Sequence, residues 1–132
     1  MGTQTHTIRQ LCDEFSVTPR TLRFYEAKGL LEPIRQGQRR LFTPRDRARL
    51  ILILRGKRFG FSLSEIKDLL ELYDYGDDQV SQLSATLAAA KRHHAELTAK
   101  RDELNEAINE LEAQMSTVKK LLSEKSADQV AE

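Results

Sequence analysis

Between Leu83 and Leu122 the chain keeps a mainly apolar series at alternating steps of four and three, interrupted only by His94 and Arg101: Leu83, Leu87, Ala90, His94, Leu97, Arg101, Leu104, Ile108, Leu111, Met115, Val118, Leu122. This spacing averages 3.5 residues and describes a heptad seam kept up for more than five repeats with no Pro or Gly inside it. A helix over 78–125 would be roughly 70 Å long, more than a head built from the rest of the chain can cover. A second copy of the chain is the expected partner. Leu83, Leu87, Leu97, Leu104, Ile108, Leu111, Met115, Val118 and Leu122 are the candidate dimerisation residues. His94 and Arg101 occupy seam positions where apolar groups bind better; they either set register at a cost in stability or mark a locally splayed seam.

Charge separates the seam from what precedes it. Residues 1–58 hold thirteen Lys and Arg against five acids, a net of +8, and the whole chain carries only +1, so the remainder is at −7. A basic module that meets a polyanion, joined to an acidic module with another task, accounts for this asymmetry. Two solvated faces of opposite sign would look the same by charge alone.

Composition excludes several classes. With 39% apolar residues and a mean hydropathy of −0.53, the chain reads as soluble. No basic-then-apolar leader opens it, and its longest apolar run, Leu50 to Leu54, is too short to span a membrane, so a cytoplasmic address without membrane contact is expected. Cys12 is the single cysteine and falls in the helical pattern Ile8, Leu11, Cys12, Phe15, as a small buried hydrophobe would. His6 lies near a start read as flexible, and His93 and His94 are adjacent on a helix and diverge. Neither metal nor cofactor is expected. Paired carboxylates, a nucleophile with its base and a phosphate loop are all missing from the pattern, so the chain does not read as an enzyme.

Within the basic half, Thr7 to Phe15 forms a short amphipathic helix, and Ser16-Val17 leads into Thr18-Pro19, an N-cap followed by a proline at the first helical position. Two short helices around a tight turn make a helix-turn-helix, with Gly29 closing the second helix in the left-handed conformation. At about 100° per residue, Arg20, Arg23, Phe24, Ala27 and Lys28 share one arc, while Leu22 and the Tyr25 ring turn inward. That arc suits a major groove: arginines for guanine edges or phosphates, Ala27 for close approach, Phe24 for sugars or a thymine methyl. Residues 30–42 then read as a small hairpin whose tip, around Gly37, collects Arg35, Arg39 and Arg40 over phosphates or a minor groove. Thr43-Pro44 opens a third helix through Leu50–Leu54, and Ser62 with Glu65 forms a capping box for a fourth, whose Leu63, Ile66, Leu69, Leu70 and Tyr73 line one face. The stretch 74–78 is read as breaking it.

The motifs "TPRTLRFYEAKGLL", "RRLF", "TPRDRARL" and "GFSLSEIKDLL", in this order, resemble the MerR family of bacterial transcription regulators over about residues 7–73, and the long helix extends the likeness to nearly the whole chain. The resemblance implies a mainly α fold: a flexible start (1–6), a winged helix-turn-helix head (7–75), a dimerisation helix in an antiparallel coiled coil (78–125) and a flexible tail (126–132). It also implies a homodimer on an inverted-repeat operator in a promoter spacer, which it bends and undertwists so that RNA polymerase can read both promoter elements. By the resemblance, Arg20 and Arg23 match the family's groove and phosphate contacts, Tyr25 its tyrosine on the DNA backbone, Arg40 its wing arginine and Phe24 a usually aromatic position; with Thr18, Thr21, Lys28, Arg35 and Arg39 they make up the candidate DNA contacts. The wing departs from the family pattern, with Gly37-Gln38-Arg39 where Asn-Gly-Tyr is common. The cysteine ligands of the metal and redox branches are missing, and a short form without an effector domain is expected. The wording of residues 37–66 is similar to a subgroup controlling branched-chain amino acid and acyl-CoA breakdown.

Two other functions account for part of the chain. An architectural DNA binder explains the basic head without base discrimination, and a coiled-coil adaptor explains the seam alone.

Overall fold

The computed structural model describes residues 4–75 and 80–131, which form two units, 1–93 and 94–132. In chain order the elements are β1 (His6–Thr7), α1 (Ile8–Phe15), α2 (Pro19–Ala27), β2 (Ile34–Gln36), β3 (Arg39–Phe42), α3 (Pro44–Phe59), α4 (Leu63–Tyr75) and α5 (Val80–Ala131). Among the described residues no helix is long and apolar enough to cross a membrane.

Capping chemistry sets most of the helix starts. Thr7 and Gln10 close a reciprocal box on α1, Thr18 accepts the Thr21 amide with Pro19 at the first turn of α2, and Thr43 and Asp46 close a second box on α3. Ser62 and Glu65 do the same for α4: the Ser62 amide donates to Glu65 Oε1 at 2.8 Å and the Glu65 amide to Ser62 Oγ at 3.1 Å. Asp46 is nearly fully buried because its second oxygen also accepts the Glu32 amide at 2.9 Å, tying the segment after α2 to the start of α3.

The core of residues 1–93 gathers Leu11, Leu22, Leu30, Leu31, Phe42, Leu50, Ile53, Ile66 and Leu70, all essentially free of solvent, with Cys12, Tyr25 and Phe61 at its margin. Gly56 lets α3 and α4 approach, since a Cβ there would stand 2.9 Å from Ile66 Cγ1. Strands β1 and β2 both pair antiparallel with β3 in the order β1-β3-β2. The hairpin loop is Gly37-Gln38, with Gly37 at φ +62° and Gln38 outside the positive-φ set, as a type II′ turn requires.

Several boundaries differ from the sequence reading. His6 pairs with Phe42 in β1, so the ordered chain begins before residue 7; a two-residue strand has no local signature and exists only through its partner. Asp74 and Tyr75 belong to α4, while residues 76–78, the rest of the expected break, lie outside the described residues, as does the Tyr73 side chain. Helix α5 continues to Ala131, where a tail from 126 was expected, because no breaker stops it.

The first turns of α5 show a face that heptad counting missed. Ala89 and His93 are buried, and the His93 ring stacks on Phe61 with centroids 4.9 Å apart. His93 Nε2 lies 3.0 Å from Glu65 Oε1, and Arg92 pairs with the other oxygen of Glu65. His94, one position on, is exposed, so the two histidines do diverge. In residues 94–132 the seam is open in the single chain: Leu97, Leu104, Ile108, Leu111, Met115, Val118 and Leu122 are 45–67% exposed.

Candidate nucleic-acid interface

The surface is built from the helix-turn-helix upward. Helix α1 ends at Ser16, whose left-handed backbone (φ 56°, ψ 44°) turns the chain sharply, while the Val17 amide returns to the Cys12 carbonyl at 3.2 Å. This turn and the burial of Leu11, Cys12, Leu22 and Tyr25 fix the roll of α2. With Leu22 and Tyr25 inward, Arg20, Arg23, Phe24, Ala27 and Lys28 all lie exposed on the opposite side.

Phe24 is held in place although nearly half exposed: its ring leans on Tyr25 (centroids 5.9 Å apart), and Lys28 Nζ lies 5.6 Å from its centre. An apolar face flanked by cations is thereby presented to solvent. At the start of α2, the Thr18 and Thr21 hydroxyls stand 2.9 Å apart beside the capped first turn, whose unpaired amides favour an anion. Tyr25 sits differently from the other candidates. The residue is 5% exposed and belongs to the core, and burial pushes its hydroxyl pKa up.

The wing stands beside α2, and two of its three arginines already have a partner. Arg35 and Arg40 are directly opposed on β2 and β3, a like-charge pairing that destabilises a hairpin. Glu26, on α2, resolves it: Arg35 donates to Oε2 at 2.7 Å and Arg40 Nε to Oε1 at 2.6 Å. Burial alone would raise the Glu26 pKa, but the bonds from Arg40 and Arg35 outweigh it and hold it below the ordinary carboxylate value. Arg35 remains about half exposed and Arg40 about one-fifth. Arg39 forms no ion pair among the described residues. A shallow concavity of about 300 Å³ between α2 and the wing is lined by Thr7, Ile8, Arg23, Gln38, Arg39 and Arg40.

Arg20, Arg23, Phe24 and Lys28 thus share one surface, Arg35, Arg39 and Arg40 cluster next to it, and Tyr25 lies beneath. Sequence reasoning missed Glu26. Its signal was an acid within an otherwise basic stretch, two residues after Phe24. Elsewhere in the head, Glu14 pairs with Arg47 and joins α1 to α3, with Arg47 over the Phe15 ring at 5.5 Å.

Comparison with known proteins gives a consistent picture. A model of the MerR HTH family regulatory protein matches residues 6–73, and a second, MerR DNA binding, matches residues 47–125. An HTH-type transcriptional regulator of Synechocystis sp. is 31% identical over 119 residues, 89% of this chain and 80% of its own. CueR of Vibrio cholerae is 34% identical over 107 residues, 80% of this chain and 75% of its own. Among solved structures, HiNmlR, a MerR family regulator lacking the sensor domain and bound to promoter DNA, superposes with a TM-score of 0.63 at 28% identity, covering 80% of each chain.

Proposed function

The chain belongs to the MerR family of helix-turn-helix transcription regulators and binds DNA, and from that premise we propose that it works as a homodimer on an inverted-repeat operator within a promoter spacer. Each copy lays the α2 face carrying Arg20, Arg23, Phe24 and Lys28 into a major groove, with the Thr18–Thr21 end against the backbone. The wing lies over the flanking phosphates through Arg39, with Arg35 and Arg40 behind it. Tyr25 acts from below, as the support for Phe24.

The observation that carries this reading is the row of apolar seam residues from Leu97 to Leu122, all at heptad spacing and all solvent-open in the single chain. Burying such a row against a second copy removes it from water at roughly 25 cal/mol per Å² of apolar surface. Joining two heads at a fixed separation makes a duplex meet both at once. If the half-sites do not present themselves at that separation, contact energy is spent on bending and undertwisting the DNA between them. RNA polymerase, reading the realigned promoter elements, is the partner this implies. Relatives that are transcription regulators favour this over the architectural and adaptor readings.

Selection of bound fragments from genomic DNA by the purified protein tests it. A two-fold symmetric motif within promoter spacers is the expected result, together with a solution mass of two chains. Recovery of fragments without a shared motif would favour an architectural binder, and no recovery at low salt would leave a coiled-coil adaptor.

A further inference from the structure

We propose that Glu26 sets the specificity of this interface, by withholding wing charge from phosphates and fixing the wing against the recognition helix; the inference rests on the DNA-binding reading above. Three observations combine. The hairpin register sets Arg35 directly opposite Arg40, so the two guanidinium groups share one small region. A single carboxylate from a different element engages both at 2.7 and 2.6 Å, through separate oxygens. Arg39, from the same wing, and Arg20 and Arg23, from α2, are exposed with no such partner among the described residues.

Phosphate contacts carry affinity for any sequence, whereas base contacts carry discrimination. A wing arginine that is free and not held in register gains more on random DNA, where any phosphate serves, than on the operator, where base contacts already fix the position of the head, so the margin between the two shrinks. Glu26 counters this in two ways. It cancels one of the two positive charges that Arg35 and Arg40 bring, and repels phosphates from the same spot. It also joins β2 and β3 to the helix that reads bases, so that the wing and α2 keep one register on the duplex. The sequence-derived role of Arg40 changes accordingly: it braces the wing, and Arg39 is the principal phosphate contact there.

The test measures binding of the full-length protein to a random-sequence duplex and to the selected operator over a range of salt. Glu26→Gln keeps the side-chain volume and removes the charge. One additional effective phosphate contact steepens the salt dependence by about 0.9, so random-sequence affinity should rise roughly eightfold near 0.1 M salt while the operator-to-random ratio falls. Glu112→Gln, an exposed position on α5, changes net charge equally and should alter neither. In the wild-type background, Arg39→Gln should flatten the slope by about one and Arg40→Gln by much less.

An unchanged slope for Glu26→Gln, an unchanged operator-to-random ratio, or equal losses for Arg39→Gln and Arg40→Gln would each overturn the proposal. The arginine pair decides the matter if Glu26→Gln does not fold. Failure of the wild type to bind random DNA at low salt is a separate result, which would remove the DNA-binding reading and this inference with it.

Discussion

Replacing Glu65 with Gln tests how the head is secured. The Glu65 carboxylate completes the box that starts α4 and also meets His93 and Arg92 on α5. The Ser62 amide first, then His93 and Arg92, lower its pKa to about 2, against burial that opposes them. Compared with the ordinary 4.5, at about 1.4 kcal/mol per tenfold change in proton affinity, this corresponds to an upper bound of roughly 3 kcal/mol. Arg92 is 58% exposed, so its share is screened, leaving about 2 kcal/mol as the expected contribution at neutral pH. The sign follows from the lowered pKa: the stabilisation is complete above the unfolded value and is lost as pH falls from about 4.5 towards 2. Urea unfolding of wild type and Glu65→Gln, followed by circular dichroism at equal protein concentration, should show a gap of about 2 kcal/mol near neutrality that closes in acid. Glu14 and Glu26, also held low in pKa, titrate alike in both proteins and cancel in the difference. Parallel stability curves across this pH range would refute the reasoning.

Arg20→Ala should cost about 1–3 kcal/mol on the operator and relax base preference, with a smaller loss on random DNA, as measured by titration against both. Leu111→Lys places a charge in the seam and should give a solution mass of one chain, while the head retains its helical circular dichroism. His94→Leu and Arg101→Leu remove polar groups from seam positions, so both should raise the melting temperature while broadening the choice of dimer geometry; a single unchanged dimer of lower stability would contradict that. Arg101 bonds its neighbour Asp102 at 3.3 Å and is 68% exposed, so little within the chain is lost by replacing it.

Helix starts were legible because capping is local. Thr18, Thr43 and Ser62 each signal their helix within a few residues; Thr7, read as the first residue of α1, instead caps it, with Gln10 completing the box as Asp46 and Glu65 do for Thr43 and Ser62. The basic arc of α2 was legible for the same reason: rotation per residue decides which side chains share a face. The seam could be counted directly, since its spacing persists with nothing to interrupt it.

What lay beyond the sequence involves partners distant in it. Strand β1 exists only through β3, whose paired residues stand 34 and 36 positions away, and the buried side of α5 at His93 is defined by the Phe61 and Glu65 that it meets. Tyr25 was legible as turned inward, but only packing decided that almost none of its ring remains to face DNA. The pairing of Glu26 with Arg35 and Arg40 needs the hairpin register and the roll of α2 together, and neither segment contains that information alone. Periodicity and capping act over a few residues, so the chain by itself determined its helices, its basic face and its seam. Which charges are paired within the head and which are left open to solvent depends on distances between elements, and only the tertiary structure decided that.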